Sequence, residues 1–343
     1  MDNNVLVNAT SLGSGGALTI LNNYLQQLKN QVPEDKLYYI FVPDTCDYFS
    51  HPKIILIQNS RNPYYKSRNY WNLVGFKKWC IDKKVKPYEI YSMQNYFPFG
   101  FSEDRGVKKK LYLHQPIPFF EYEWSLFKKN ERNLWFYKNI YIHLINKSIR
   151  EADKVIVQTE WLKKKIVSKA SINKDNVHVE KPILNTINPN LYTRIPDLED
   201  TTTLFYPSSK NLYKNHKVLY KAMDIIVNKF NLKNVVLYLT LDKADDTALK
   251  YINQFNLGAN IILTGELNYK QVMEHYKSVD ALLFPSKIET YGLPLVEAQF
   301  FNLPIIASNL DLFKEVIGDY PRITFCGVDD EFDWANNIKG MIN

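Results

Sequence analysis

The segment over residues 281–308, ALLFPSKIETYGLPLVEAQFFNLPIIAS, constrains the fold of this chain more than any other stretch. Four apolar residues at 281–284 predict a buried strand, a helix is predicted from about 293 to 301, and a second apolar run at 304–307 predicts another buried strand. Two buried strands joined through a helix form a parallel strand-helix-strand unit. The segment therefore predicts an α/β fold with a parallel sheet.

The turn inside this segment carries groups suited to binding an anion. Gly292 lacks a Cβ and lets a ligand approach the backbone, and Pro294 fits a first helical turn, where its missing N–H costs little. A helix N-terminus attracts an anion by only about 0.3 to 2 kcal/mol, whereas micromolar binding needs about 8 kcal/mol. A phosphate ligand would therefore need cations from elsewhere in the chain. The N–H groups predicted to face the ligand are those of Thr290, Tyr291, Gly292 and Leu293.

Two carboxylates lie on either side of the turn, Glu289 before it and Glu297 in the predicted helix. Carboxylates repel phosphates and accept hydrogen bonds from neutral hydroxyls, so sugar hydroxyls are their expected partners. The alternative is that Glu297 only complements the helix dipole and that Glu289 is a solvated loop residue.

Taken together, the segment resembles the E-x7-E signature of retaining glycosyltransferases of family 4, which have the GT-B fold. The match includes Phe-Pro-Ser at 284–286, Tyr-Gly-Leu-Pro at 291–294, Glu-Ala at 297–298 and Leu-Pro-Ile-Ile-Ala-Ser at 303–308. The resemblance implies that the turn amides meet the diphosphate and transferred sugar of a nucleotide-sugar donor. It also implies that Glu289 contacts the sugar and that Glu297 holds the nucleotide ribose.

Length and composition fit two globular α/β domains in the cytoplasm. A chain of 343 residues with 45% hydrophobic and 23% charged residues can bury two separate cores. Its three cysteines, Cys46, Cys80 and Cys326, are too widely spaced for a disulfide framework or a metal site. The start of the sequence lacks signal-peptide features, and no apolar run approaches the length of a membrane span.

Charge divides the chain into two unlike halves. Residues 1–182 carry 28 Lys and Arg against 17 Asp and Glu, and the remaining residues carry 15 against 19. A basic half suits a polyanion, either nucleic acid or an anionic membrane. Residues 183–202 are rich in proline and polar residues and predict a linker. The resemblance then implies an acceptor-binding domain at 1–182 and a donor-binding domain at 203–343, facing each other across a cleft.

Alternating strand and helix patterns predict a doubly wound parallel sheet, Rossmann-like, in each domain. Helices are predicted near 17–29, 64–86, 131–150, 215–229 and 331–342, and a basic turn at 161–169. Outside the opening segment, strands are predicted at 4–8, 37–42, 54–57, 88–92, 109–113, 154–158, 176–179, 203–206, 235–241 and 261–264.

A glycine-rich loop follows the first predicted strand. Gly13, Gly15 and Gly16 form a strand-to-helix turn like a phosphate cradle, but their spacing is not the dinucleotide fingerprint, so no nicotinamide site is expected. The resemblance places Gly15 and Gly16 near the donor phosphate or the acceptor. The alternative is a tight turn without a ligand.

His114 is predicted at the carboxyl end of a strand, where open α/β sheets bind ligands. Its context, HQPIPF, resembles the family's histidine loop, which implies a contact with the donor sugar and stabilisation of the transition state. A hydrogen-bonded loop histidine without a catalytic role is the alternative.

Lys214 is predicted to open the first helix of the second domain, where a lysine works against the helix dipole unless it meets an anion. The resemblance assigns Lys214 to the leaving diphosphate, with Asn215 beside it. The family's preceding arginine is replaced here by Ser208 or Ser209, with only Lys210 nearby. The sequence therefore leaves open which residue supplies the second positive charge.

The resemblance implies a retaining transfer that uses His114, Lys214 and Glu289 as catalytic residues. The sequence has no Asp-x-Asp pair, so neither a divalent metal nor another cofactor is expected, and the nucleotide sugar is a substrate. Basic-aromatic segments at 64–86, 128–150 and 161–169 suggest a peripheral position on an anionic membrane, and no nucleic-acid partner is expected. Solvated helix faces are the alternative interpretation of these segments.

The expected acceptor is a lipid-linked glycan of a bacterial surface polysaccharide, O-antigen or capsule. Two other functions stay open at this point. One is a non-catalytic sugar-nucleotide-binding subunit of a polysaccharide synthesis complex, suggested by the missing arginine. The other is a sugar-nucleotide epimerase on the same GT-B fold.

Overall fold

In the computed structural model the chain divides into two compact units, Met1–Asn185 and Thr186–Asn343. The structure describes residues 3–101, 106–170, 172–182, 184, 187–195 and 201–342. Each unit contains one sheet, and all strand pairs in both sheets are parallel. The predicted linker at 183–202 lies partly outside the described residues, namely at 183, 185, 186 and 196–200.

The first unit has a seven-stranded sheet in the order β3-β2-β1-β4-β5-β6-β7. Its strand order reverses between β1 and β4, and such a reversal opens a crevice at the carboxyl ends of the strands. The strands are β1 (Asn3–Asn8), β2 (Lys36–Val42), β3 (Ile54–Gln58), β4 (Glu89–Ser92), β5 (Lys108–Tyr112), β6 (Lys154–Val157) and β7 (Val177–Val179).

The helices of the first unit include two that are interrupted by π-helical turns. Trp71–Gly75 joins the second helix to the third, and Tyr137–Tyr141 joins the fourth to the fifth. Short 3-10 turns lie at Asn59–Arg61, Ile117–Phe119 and Lys174–Asn176. The helices are α1 (Gly15–Asn30), α2 (Arg68–Tyr70), α3 (Phe76–Asp82), α4 (Arg132–Phe136), α5 (Ile142–Glu151) and α6 (Glu160–Ala170).

Two predictions for this unit were wrong in detail. Residues 161–169 are part of the helix α6, not a turn, because Leu162, Ile166 and Ala170 recur every four residues and are buried. The helical span predicted at 64–86 is shorter, from the start of α2 to the end of α3. Its Gly75 is required by close packing, since a Cβ there would lie 2.4 Å from the Tyr64 carbonyl oxygen.

The two faces of the first sheet pack against separate cores, as alternation along a strand requires. Leu6 faces a cluster that contains Phe41, Trp71 and Phe76, and Val5 and Val7 face a second cluster. The ring centroid of Phe41 lies 4.8 Å from that of Trp71 and 5.3 Å from that of Phe76. This sheet is therefore covered on both sides.

The second unit has a six-stranded sheet in the order β10-β9-β8-β11-β12-β13, which reverses between β8 and β11. Its strands are β8 (Thr202–Tyr206), β9 (Val235–Leu239), β10 (Ile261–Leu263), β11 (Ala281–Phe284), β12 (Ile305–Ser308) and β13 (Ile323–Cys326). Its helices are α7 (His216–Asp224), continued by a π-helical turn at Ile225–Lys229, α8 (Asp246–Gln254), α9 (Tyr269–Ser278), α10 (Leu293–Phe300), α11 (Asp311–Ile317) and α12 (Glu331–Ile342).

The segment that opened the sequence analysis folds as β11-α10-β12. Leu282 pairs with Ile305 and Phe284 with Ala307, and all residues of both strands are buried. Burial on both faces explains why each strand is an uninterrupted apolar run rather than an alternating pattern. The predicted class, two doubly wound parallel-sheet domains, is confirmed.

No helix among the described residues combines the length and the apolar character that crossing a membrane requires.

Candidate functional site

In the second unit, Lys214 and Glu289 form an ion pair near the strand-order reversal. Lys214 ends a 3-10 turn, Leu212–Lys214, after β8, and Glu289 lies in the turn after β11. The distance from Lys214 Nζ to Glu289 Oε1 is 2.5 Å, and Ser286 Oγ donates to the same oxygen at 2.8 Å. Both charged side chains keep 14–17% of their surface exposed, so the pair remains accessible to a ligand.

The position of Lys214 differs from the sequence prediction. It precedes the helix instead of opening it, because Asn215 adopts a left-handed conformation with φ of 58° and α7 begins at His216. The Asn215 side chain is buried, and its Nδ2 donates to the Val328 carbonyl at 2.8 Å. The ammonium group of Lys214 is therefore placed by a turn outside the helix.

A buried hydroxyl, which the sequence reasoning missed, connects the two turns. The Tyr206 hydroxyl at the end of β8 lies 2.9 Å from the Lys214 carbonyl oxygen and 2.8 Å from Ser286 Oγ. Burial raises the pKa of Tyr206 well above its ordinary value, so the hydroxyl stays protonated. A tyrosine that ends the first strand of a domain was the available sequence signal, but nothing in the sequence indicated its partners.

The turn before α10 offers backbone donors. Gly292 has φ of 91°, a conformation that favours glycine, and a Cβ there would lie 3.2 Å from Leu295 Cδ1. Among the residues that the structure describes, no acceptor bonds to the N–H groups of Tyr291, Gly292 or Leu293. These three amides at a helix N-terminus can therefore receive an anion.

Glu297 is buried in α10, with 7% of its surface exposed. The Tyr276 hydroxyl donates to its Oε2 at 3.1 Å, whereas no described residue bonds to its Oε1. Burial raises the pKa of Glu297 to about 7, and the hydrogen bond from Tyr276 opposes this only in part. One carboxylate oxygen is thus available as an acceptor.

The segment after β8 provides few charges around Lys214. Ser208 is tied inward, since its N–H donates to Thr240 Oγ1 and its Oγ lies 2.8 Å from His216 Nε2. Burial, followed by the charge of Lys214, lowers the pKa of His216 to about 4, so this imidazole is neutral at pH 7.

Two further predicted residues lie in the same segment. Ser209 is exposed, and its Oγ accepts from Asn211 Nδ2 at 2.8 Å. Lys210 is also exposed and forms no ion pair within the described part of the chain. Of the two, only Lys210 carries a positive charge.

In the first unit, His114 follows β5 and contacts the loop after β4. The backbone N–H of His114 donates to Asn95 Oδ1 at 2.7 Å, and the imidazole Nε2 lies 3.4 Å from Asn95 Nδ2. Asn95 has φ of 69°, a left-handed backbone conformation that asparagine adopts more readily than most residues. Burial, followed by the positive charge of Arg68, lowers the pKa of His114 to about 4. The imidazole is neutral at pH 7, and neither Asn95 nor Arg68 was predicted from the sequence.

Gly15 and Gly16 are the first two residues of α1 rather than parts of the preceding loop. Gly15 has φ of 53°, and a Cβ there would meet no atom within 4 Å, so the backbone at this helix start is open. Ser14 precedes the helix without capping it through its side chain. The loop therefore has the form expected for close ligand approach, and its role in binding stays a prediction.

Comparison with known proteins supports the resemblance at the level of group 1 glycosyl transferases. Residues 194–343 match the family model described as glycosyl transferases group 1. That match lies in the second unit, where the ion pair and the open amides are found. Membership of family 4 stays a prediction.

Two curated relatives come from bacterial polysaccharide synthesis. The chain is 22% identical over 207 residues to the O-antigen chain mannosyltransferase RfbU of Salmonella typhimurium, an alignment that covers 60% of this chain and 56% of that protein. It is 30% identical over 135 residues to the capsular polysaccharide biosynthesis glycosyltransferase CapH of Staphylococcus aureus, covering 38% and 37% respectively. The chain thus spans 56% of the length of the first relative and 37% of the second.

Solved structures identify the fold. Sucrose-phosphate synthase from Thermosynechococcus elongatus superposes with a TM-score of 0.73 at 15% identity, covering 99% of this chain and 90% of that one. Anabaena HepE in complex with UDP and glucose superposes with a TM-score of 0.69 at 14% identity and the same coverage. Together with the two parallel sheets, these likenesses establish the GT-B fold, as the sequence predicts.

Proposed function

We propose that this protein is a retaining glycosyltransferase that moves a sugar from a nucleotide diphosphate donor to an acceptor hydroxyl. The observation that carries the proposal is the accessible Lys214–Glu289 pair beside the unbonded amides of Tyr291, Gly292 and Leu293. Support also comes from the group 1 match over 194–343 and from the relatives that act on O-antigen and capsular polysaccharides.

Each element of the second unit has a role in this proposal. The diphosphate accepts hydrogen bonds from the turn amides and draws Lys214 Nζ away from Glu289, because a phosphate carries more charge than a carboxylate. Glu289 is then free to accept hydrogen bonds from the sugar hydroxyls. Glu297 accepts from the ribose through Oε1, and Lys210 supplies the second positive charge.

The proposed chemistry is a displacement on one face of the sugar. The bond from the anomeric carbon to the phosphate oxygen breaks, and the acceptor oxygen forms its bond to the anomeric carbon on the same face. The acceptor proton passes to the departing phosphate, so no side chain serves as base. Lys214 and the turn amides stabilise the charge that develops on this phosphate without a metal ion. In the first unit, we assign a neutral donor-sugar contact to His114, with Gly15 and Gly16 close to the donor or acceptor.

For the acceptor we propose a lipid-linked glycan of a bacterial surface polysaccharide, reached from the cytoplasmic face of the membrane. The helices α4 and α5 present exposed residues at positions 132, 136, 140, 143, 147 and 150, a spacing that follows one helix face. Phe136 and Ile140 on this face are 48% and 47% exposed, and Phe127 in the preceding loop is 89% exposed. Apolar side chains next to Arg132 and Lys147 suit an anionic lipid surface.

Turnover with labelled donors tests the reaction. The chain is incubated with UDP-, GDP- and ADP-sugars and a lipid-linked acceptor extract in EDTA, and the anomeric configuration of the product is determined by NMR. We expect transfer with retained configuration that is lost in Glu289→Ala and kept in Glu266→Ala, which removes an exposed carboxylate of the same unit. An inverted product, or activity that requires a divalent metal, would overturn the mechanism. Epimerised free nucleotide sugar would instead indicate an epimerase.

Vesicle flotation tests the membrane assignment separately. We expect the chain to float with anionic vesicles at low salt, and the double variant Phe136→Ser, Ile140→Ser to float less. The control Phe332→Ser removes an exposed aromatic from the second unit and should behave like the wild type. Wild-type protein that stays entirely in the soluble fraction would rule out this surface.

A further inference from the structure

A partly buried guanidinium in the first unit has no anionic partner among the residues that the structure describes. Arg68 begins α2, and its Nη2 donates to the Tyr141 hydroxyl at 3.0 Å. Tyr96 and Tyr137 also lie close to this guanidinium. Among the described residues, no carboxylate forms an ion pair with Arg68. The positive charge is therefore surrounded by neutral phenols.

Such an arrangement leaves binding capacity unused. A guanidinium is always charged and carries five N–H donors in one plane, and phenol oxygens occupy only some of them without neutralising the charge. Charged side chains that lose contact with water are ordinarily paired. Arg68 therefore keeps both its charge and part of its donor set for a ligand.

The backbone of Arg68 is fixed to the end of a central strand. Asn72 Nδ2 donates to the Arg68 carbonyl at 2.8 Å, and Asn8 Nδ2 donates to Asn72 Oδ1 at 2.8 Å. Trp71 Nε1 donates to Asn8 Oδ1 at 3.1 Å. Asn8 is the last residue of β1 and, like Asn72 and Trp71, is buried. This network holds α2 in place before any ligand arrives.

The guanidinium also lies near the carboxyl ends of β4 and β5. The Tyr141 hydroxyl donates to the Gln94 carbonyl after β4, at 3.2 Å. The charge of Arg68 contributes, after burial, to the lowered pKa of His114, which follows β5. Arg68 and His114 thus lie at the edge of the sheet where its strand order reverses and where ligands of open α/β sheets bind.

We propose that Arg68, together with the hydroxyl of Tyr137, binds an anionic group of the acceptor. A phosphate or a carboxylate fits, because both present two oxygens to the planar guanidinium. A lipid-linked diphosphate would supply the phosphate, and an acidic sugar would supply the carboxylate. The assignment to the acceptor rests on the proposed transferase function, whereas anion binding at Arg68 does not.

Hydrogen exchange on the full chain tests anion binding, with inorganic pyrophosphate, glucuronate and neutral glucose as probes. We expect pyrophosphate or glucuronate, but not glucose, to slow exchange in peptides that cover α2 and the Tyr137–Tyr141 turn. The probe that protects at the lower concentration identifies phosphate or carboxylate as the preferred group. Absence of protection in these peptides with either anion overturns the proposal.

Substitutions separate binding from folding. Arg68→Gln should raise the dissociation constant for the protecting anion by about tenfold or more, the cost of a charge-assisted hydrogen bond. Arg61→Gln, which removes an exposed arginine of the same unit, should leave it unchanged. Arg68→Lys keeps the charge and should fold normally with an intermediate dissociation constant. An unchanged constant in either folded Arg68 variant contradicts the proposal.

A further exchange experiment with nucleotide sugars separates anion binding at Arg68 from the proposed function of the second unit. Protection of peptides over 286–297 by a nucleotide sugar reports the second unit, and we expect it to be the same in Arg68→Gln and the wild type. Turnover by Arg68→Gln should show a raised KM for the acceptor and an unchanged KM for the donor. Anion protection at α2 without nucleotide-sugar protection over 286–297 would support the Arg68 site while refuting the transferase.

Discussion

Replacing Glu297 with glutamine should change how the stability of the second unit depends on pH. Burial raises the pKa of this carboxyl from 4.5 to about 7. The folded protein therefore holds the proton more tightly than the unfolded chain. Stability from this group is fully present below pH 4.5 and is lost as the pH rises to about 7.

The magnitude follows from the size of the pKa difference. At about 1.36 kcal/mol per pKa unit, ionisation of Glu297 removes about 3 kcal/mol of unfolding free energy between pH 4 and pH 8. Glutamine cannot ionise and avoids this loss. The Glu297→Gln variant should therefore gain about 3 kcal/mol relative to the wild type across this range.

Hydrogen exchange of β11 and β12 in denaturant measures this unfolding free energy without interference from the first unit. Glu266→Gln is the matched control and should parallel the wild type at every pH. Tyr276→Phe removes the donor that favours the carboxylate, so it should raise the pKa of Glu297 further. A constant difference between Glu297→Gln and the wild type from pH 4 to pH 8 would refute the reasoning.

Three further predictions concern single positions. Gly292→Ala should destabilise the second unit by about 1–2 kcal/mol in denaturant unfolding, because alanine is strained at φ of 91° and its Cβ would crowd Leu295; unchanged stability would contradict this. Gly75→Ala should cost the first unit about 1–3 kcal/mol or more, since its Cβ would overlap the Tyr64 carbonyl; a stable variant would show that the π-helical turn can relax. His114→Gln should reduce the loss of first-unit stability between pH 6.5 and 4, where wild-type His114 must take up a proton against burial; identical acid unfolding curves would exclude it.

The sequence contained the fold class and the local form of the site, but not its long-range contacts. Uninterrupted apolar runs identified β11 and β12, because strands buried on both faces need no polar positions. Short or polar elements such as α8, α9, α11 and β13 were missed. The helix α6 was interpreted as a turn because lysines dominate the segment and only three of its residues are buried.

The contacts of the candidate site join residues that are far apart in sequence. Lys214 and Glu289 are 75 residues apart, and their pairing depends on the adjacency of β8 and β11. Tyr206 carries no signal of its own beyond being a tyrosine in an apolar strand. Arg68 was one of many basic residues in its segment, and only the structure distinguishes it as a cation without a carboxylate partner in the described part of the chain.

The central claim is that Lys214 and the turn before α10 hold the diphosphate of a nucleotide sugar. Calorimetric titration of UDP-, GDP- and ADP-sugars in EDTA tests it most directly, on the wild type, Lys214→Ala and the exposed control Lys250→Ala. The account predicts that one donor class binds the wild type and the control equally, and that Lys214→Ala binds it about 10- to 100-fold more weakly. Equal affinity of Lys214→Ala and the wild type for that donor would contradict it, as would the absence of binding by every nucleotide sugar.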